Sequence, residues 1–372
     1  MKFIKINYLE KFTYVHNFSQ VVSMISLSFI TPFVIGVENY GIYASVFAIP
    51  GFFHGSLETY LIRSLNNSKD NFFISFLIFF IFSILIILLI NLSFFDLEKS
   101  IYAIILFLSL IFRSFFYSIA TQKTKKLNSV ILSEWVISLV YLFILFYCYI
   151  ENVYSYSVPI LMICFSCIIS GFFLAFHSKN YLKKISFETP KKLNFIDLFG
   201  RLYEDLFITT SPLIIYIFFS AKESGFFRIL ISIIKALFKL FPYKYEVLFL
   251  AIKNKSFDKI RFNNFIKIFN FLSILLTVFL FFFSKFYFIN YFTYFILMLS
   301  LSGFVIGLLV IYPVLKINLK SVIITLFFFC ILCLLASLSD QLIFSIGFCF
   351  ISLVLYFFFY NMINKHESIS NL

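Results

Sequence analysis

The sequence predicts an all-α polytopic membrane protein with about twelve transmembrane helices, arranged as two halves of six. Three observations predict it. The chain of 372 residues is 62% hydrophobic and only 13% charged, too little polar surface to cover a soluble core of that size. Apolar runs long enough to cross a bilayer as helices recur from one end to the other. The basic residues crowd into alternate connections between those runs, which is how orientation is written in a membrane protein.

In order, the runs lie at roughly 16–36, 41–62, 72–95, 100–120, 129–150, 154–177, 203–220, 224–241, 266–288, 290–314, 321–338 and 341–362. Lys2, Lys5 and Lys11 precede the first run and no small-x-small cleavage site follows it, so it reads as an uncleaved anchor. With the N-terminus in the cytoplasm, 23 of the 30 basic residues fall in inner segments and only Lys99, Lys222 and Lys285 in outer loops. Arg113, Arg228, Lys235 and Lys239 lie within spans. This asymmetry puts both termini in the cytoplasm, and it fits a multi-pass protein of the cytoplasmic membrane. It also supports the span count, because one missed helix would invert the alternation beyond it.

The longest inner loop, 178–202, is basic, polar and broken by Pro190, and it reads as a linker between residues 1–177 and 203–372. The halves share a feature at the same helix number. FVIGVENYGIYASVF at 33–47 and FFSAKESGFFRILIS at 218–232 each join two spans through a short acidic outer turn, with Gly41 and Gly225 opening the next span. The leading spans one and seven carry Pro32 and Pro212. Two six-helix halves entering from one side form a repeat about the membrane normal, an arrangement found in transporters.

Several function classes recede. The net charge of +13 is taken up by topology and does not indicate a nucleic-acid partner. Cys164/Cys167 and Cys330/Cys333 have CxxC spacing, but they sit mid-helix without His or Asp beside them and read as buried thiols. No metal, cofactor or catalytic constellation is expected. A membrane glycosyltransferase or polymerase would need a sizeable outer loop with paired acids, and only Asp96-Leu97-Glu98 in a short turn offers any. The expectation is a protein that is not an enzyme.

The charges inside spans are the candidate site. At about 100° per residue, Arg228, Lys235 and Lys239 form one stripe within roughly 40° of arc over about 16 Å of helix. A charge at the bilayer centre costs at least ~2.5–3.5 kcal/mol, so such a stripe should face a water-filled cavity. Lys235 is mid-membrane, whereas Lys239 is near enough to the inner end to snorkel and Arg228 is one turn from the outer end. Arg113 has two readings, a pair with Glu134 or a place in the cavity. His54 and Glu58, one turn apart, either add polar groups to the cavity or, for Glu58, pair with Arg63. Glu204 and Asp205 open span seven and are expected to be solvated. Ser19, Ser23 and Ser26 make a stripe that fits either a polar lining or close helix packing.

The run ITPFVIGVENYGIYASVFAIPGFFHGSLETYLIR, 30–63, resembles the opening of polysaccharide-biosynthesis membrane proteins, the O-antigen flippases of the MATE-like exporter superfamily. The G-x-E-x-Y-G turn from Gly36 to Gly41 is its most specific part. DLFITTSPLIIYIFFSAKESGFFRILISIIKALFKLFP, 205–242, resembles the same family around helices seven and eight. The resemblance implies two six-helix bundles around a central cavity that opens alternately to either side. It implies a lipid-linked oligosaccharide as substrate, with membrane lipid and other glycan-assembly proteins as partners. A rival in the same superfamily is a drug/cation antiporter, which works through membrane-embedded carboxylates. Span one has no acid, and the deep stripe is cationic.

The predicted topology is testable directly. Single cysteines at Ser186 and at Asn39 should react with membrane-impermeant reagents from opposite faces; labelling of both from outside would overturn it.

Overall fold

The computed structural model of the protein describes residues 18–66, 73–122, 127–182, 204–239, 319–338 and 340–370, with Val15 and Phe271. The described elements are all helical. They fall into two compact units, Met1–Ser232 and Ile233–Leu372. The expected spans at 266–288 (apart from Phe271) and 290–314, the loop 242–265 and residues 183–202 of the expected linker lie outside the described residues.

The first unit opens with α1, Phe18–Ile35. Its middle widens into a π-segment, Ser26–Ile30, before Thr31–Ile35 begins with Pro32 near its start. A proline cannot donate to the helix ladder, so the wider turn and the Thr31 hydroxyl, which donates to the Ser26 carbonyl at 2.9 Å, take up the break. Gly36 then turns the chain at φ +87°, a conformation that disfavours any side chain, and its N–H donates to the Pro32 carbonyl at 3.0 Å. The acidic outer turn expected beyond Gly36 is not a loop. Val37–Tyr40 already belongs to α2, Val37–Asn66, with Glu38 in its first turn, where it complements the helix dipole.

The 30 residues of α2 reach about 45 Å. It is the interior helix of the unit, with Tyr40, Tyr43, Leu57 and Leu61 fully buried, which is why it tolerates Pro50, His54 and Glu58. Around it stand α3 (Phe73–Phe94), α4 (Leu97–Gln122), α5 (Leu127–Ile150) and α6 (Ser157–Leu182). α4 packs on α2, α3 and α6, and α5 packs on α6. The outward faces of α3 and α5 carry Leu89, Phe143 and Phe146 at 66%, 73% and 66% exposure, a surface suited to lipid. Including one helix in the second unit, six described helices are long and apolar enough to cross a membrane.

α7 repeats the construction of α1. A π-segment, Glu204–Thr209, leads into Ser211–Phe218 with Pro212 near the start. The hydroxyls of Thr210 and Ser211 donate to the Leu206 and Phe207 carbonyls at the break. After Phe219 and Ser220, α8 runs Ala221–Lys239, its start capped by the Ser220 hydroxyl, which accepts the Glu223 N–H at 3.2 Å. In the second unit, α9 (Leu319–Leu338) packs on α10 (Gln341–Ser370), and Asp340 caps α10 by accepting the Ile343 N–H at 2.9 Å.

α2 and α8 meet backbone to backbone in the first unit. A Cβ on Gly41 would strike the Ala221 carbonyl, and one on Gly225 would strike that of Val37. The Ser45 and Ser224 hydroxyls, 3.0 Å apart, close the joint, and both reach the Pro212 carbonyl, at 3.2 and 2.8 Å. Gly41→Ala should therefore cost about 1–3 kcal/mol, because the obstructing atom is backbone and cannot swing aside. Thermal unfolding in detergent should show a Tm several degrees lower, and Gly41→Ala/Gly225→Ala less than the sum of the singles; an unchanged Tm would contradict the close approach.

Candidate functional site

Two arginines enter the membrane region of the first unit, and their surroundings differ. Arg113, from the middle of α4, makes a short ion pair with Glu134 of α5. It also donates from Nε to Ser170 Oγ of α6 at 3.3 Å and lies over the Tyr117 ring at 5.3 Å. Side-chain exposure is 14% for Arg113 and 5% for Glu134, so the pair is largely shielded and needs its extra hydrogen bonds. Glu134 also accepts from Gln20 Nε2 of α1 at 3.4 Å. Ser23 and Ser138 hydroxyls meet at 2.7 Å, and Ser138 also donates to the Ser19 carbonyl at 3.2 Å. The serine stripe of span one is thus a packing seam against α5.

Beside Arg113, Ser114 links the two polar residues of α2. His54 Nε2 and Ser114 Oγ are 2.7 Å apart, and Ser114 donates to Glu58 at 3.4 Å. Glu58 is also an electrostatic neighbour of Arg113. The Arg63 side chain lies outside the described residues. Asp205 is not solvated, as the sequence suggested, but 3% exposed. It packs where Gly55 leaves room on α2, with the Ser56 hydroxyl 3.5 Å from its carboxylate.

Among the described residues Arg228 has no such carboxylate. α8 aims it at α2, where its guanidinium lies 5.0 Å from the Phe47 ring centroid. Tyr40 and Tyr43, both fully buried, share that face of α2 with rings 5.4 Å apart, and Tyr43 continues to Phe47 at 5.9 Å. Arg228 lies within electrostatic reach of both phenols, but neither hydroxyl meets it in hydrogen-bond geometry. Nε and Nη1 of Arg228 and the hydroxyls of Tyr40 and Tyr43 are buried without a hydrogen-bond partner. Tyr141 is in turn a neighbour of both Tyr43 and Arg113, which connects the two arginines through the interior. The side chains of Lys235 and Lys239 lie outside the described residues, so the structure gives Arg228 alone of the predicted stripe.

The acids weighed for chemistry at the α3–α4 turn hold structure instead. Asp96 accepts the Lys99 N–H at 2.9 Å and pairs with its ammonium, contacts that hold its carboxyl below the usual range. Glu98 accepts from the Tyr156 hydroxyl at 3.0 Å.

No protein-family profile and no curated protein matches the sequence. Solved structures do. A MATE structure in complex with MaD3S superposes with a TM-score of 0.60 at 13% identity, covering 97% of each chain. The chain has a MATE-like fold. An outward-facing conformation of a multidrug resistance MATE family transporter of the MOP superfamily gives 0.55 at 14% identity, over 97% of this chain and 94% of that one. An inward-facing conformation of such a transporter gives 0.54 at 12%, over 96% of each. With its apolar helices, this fold makes the protein a multi-pass membrane protein.

The contrast between the arginines has a measurable consequence. Arg113→Met or Glu134→Leu alone leaves an uncompensated buried charge and should destabilise by about 3–5 kcal/mol. The double variant should recover a large part of that loss in a thermal-unfolding cycle; full additivity would mean the pair is not a unit.

Proposed function

We propose that the protein is a flippase, moving an isoprenoid-pyrophosphate-linked oligosaccharide from the inner to the outer leaflet of the cytoplasmic membrane by alternating access. The observation that carries this reading is Arg228, a half-buried side chain paired with no carboxylate among the described residues, whose Nε and Nη1 are buried beside the unpartnered hydroxyls of Tyr40 and Tyr43. A cation kept in that state is matched by an anionic ligand, and a guanidinium can grip two phosphate oxygens at once. Lys235 and Lys239, on the same face of α8, extend the cationic track toward the cytoplasmic side. Arg113 is committed to Glu134 and serves the cavity wall, with His54 and Glu58 behind it. The two six-helix bundles, joined by 178–202, rock about the substrate between inward-open and outward-open states, the pair of conformations in which MATE transporters of this fold have been solved. An anionic head carried outward moves with an inside-negative potential, gaining up to ~2.3 kcal/mol per charge per 100 mV.

A second reading, drug/cation efflux, is favoured by the multidrug resistance transporters of similar fold and by the carboxylates inside the helices, Glu134 and Asp205 buried and Glu58 half-buried. It makes the opposite demand on Arg228, because a cationic substrate beside an unpaired guanidinium is repelled.

The two readings separate in one experiment. In a flippase-deficient strain with matched protein levels, wild type should restore surface glycan. Arg228→Ala should reduce display roughly tenfold or more, the worth of one charge-assisted contact, and Arg228→Glu and Lys235→Glu should abolish it. Lys239→Ala should matter least. Normal display by Arg228→Glu and Lys235→Glu would overturn the flippase reading; drug resistance that survives Arg228→Glu would favour efflux.

A further inference from the structure

The orphaned hydroxyls beside Arg228 carry an inference of their own, which rests on the flippase reading and names how the head group is recognised. Positions 40, 43 and 47 recur at i, i+3 and i+7, so Tyr40, Tyr43 and Phe47 form one face of α2. Arg228 lies against that face, with its guanidinium 5.0 Å from Phe47. Four buried polar atoms gather there without a hydrogen-bond partner among the described residues: Nε and Nη1 of Arg228, which only donate, and the hydroxyls of Tyr40 and Tyr43. Ser28 and Ser232 are neighbours of the Tyr40 hydroxyl, but neither meets it in hydrogen-bond geometry, and the Ser232 hydroxyl donates to the Arg228 carbonyl at 2.8 Å.

Leaving such atoms unpaired inside a protein is costly, and natural sequences seldom do it without a ligand to complete the set. One ordered water cannot partner all four atoms and carries no charge to balance the guanidinium. A phosphate group presents several acceptor oxygens and a negative charge, so it satisfies the hydroxyls and the guanidinium together.

We propose that Tyr40 and Tyr43 are specificity-determining residues of a phosphate site centred on Arg228, their hydroxyls donating to the same oxyanion that the guanidinium grips. Neutral donors beside one fixed cation select for a ligand that accepts hydrogen bonds and carries negative charge. A lipophilic cation gains nothing from the hydroxyl donors, and the fixed charge of Arg228 repels it from the aromatic faces that could otherwise hold it. The phenols reach this position because Gly41 and Gly225 let the backbones of α2 and α8 touch, which brings Arg228 onto the Tyr40–Phe47 face.

The test uses the full chain in lipid nanodiscs, with binding measured by calorimetry. The probes are farnesyl pyrophosphate, inorganic pyrophosphate, farnesol and tetraphenylphosphonium. Wild type should bind farnesyl pyrophosphate and discriminate against farnesol. Tyr40→Phe and Tyr43→Phe, which remove only an oxygen, should each weaken farnesyl pyrophosphate roughly tenfold and leave farnesol unchanged. The single variants keep the test valid if the double fails to fold. Wild-type affinity in both single variants, with binding lost in Arg228→Ala, would overturn the role of the phenols and leave the flippase reading standing. Wild type that binds tetraphenylphosphonium but no pyrophosphate would overturn both. Equal binding of inorganic and farnesyl pyrophosphate that falls in both phenylalanine variants would support the phosphate site and assign its ligand to a soluble anion instead of a lipid.

Discussion

Inside a membrane protein a charge must find its partner within the fold, and the first unit is organised around that constraint. Arg113 meets it internally. Its guanidinium draws Glu134 from α5 and Ser170 from α6, and Glu134 reaches back to Gln20 of α1, so one pair fastens four helices. α2 can be the interior helix partly because this neighbourhood is polar. His54 and Glu58 face Ser114, which adjoins Arg113, where an apolar neighbour would have left them stranded.

The same constraint gives Arg228 a different meaning. α8 holds one acid ahead of it, Glu223, five positions away. At about 100° per residue that acid projects roughly 140° around the helix and cannot turn to the same face. α2 presents Tyr40, Tyr43 and Phe47 there, hydroxyls and a π-face but no carboxylate. A residue buried purely for packing would be better served by an acid at 40 or 43.

The legible part of the fold was what hydrophobicity encodes. Run length located α1 to α8 and α9 within about five residues, because crossing a bilayer requires those lengths, and it placed the start of α10, which continues past the expected end at 362 to Ser370. The turns were less legible. GVENYG reads as a loop since Gly, Glu and Asn are turn formers, but Gly36 alone makes the reversal and Glu38 serves α2 as a dipole-complementing first-turn acid. The π-segments before Pro32 and Pro212 left no pattern in the sequence beyond the prolines, although they are the clearest structural likeness between α1 and α7. Within the site, Arg228 and Arg113 stood out because ionisable residues are rare in apolar runs. Tyr40 did not, since one phenol among 23 tyrosines and 60 phenylalanines carries no signal. Asp205 was misread for a related reason. An acid at a span end is usually solvated, and only the missing side chain of Gly55 makes a buried place for it.

Transport of the kind proposed would also have to reckon with the α2–α8 joint. Where carbonyls of Ala221 and Val37 occupy the space that Gly41 and Gly225 leave empty, the helices cannot slide past one another by small steps, since each step would drive backbone into backbone. They can pivot about the contact or separate at it. Either motion changes the distance from Arg228 to the phenols, because all three project from the turns next to the joint. A phosphate bridging the two helices would hold that distance fixed and release it on leaving. Binding and helix rearrangement would then be coupled through the same few atoms, and an anion that completed the set would also favour the conformation in which the set is complete.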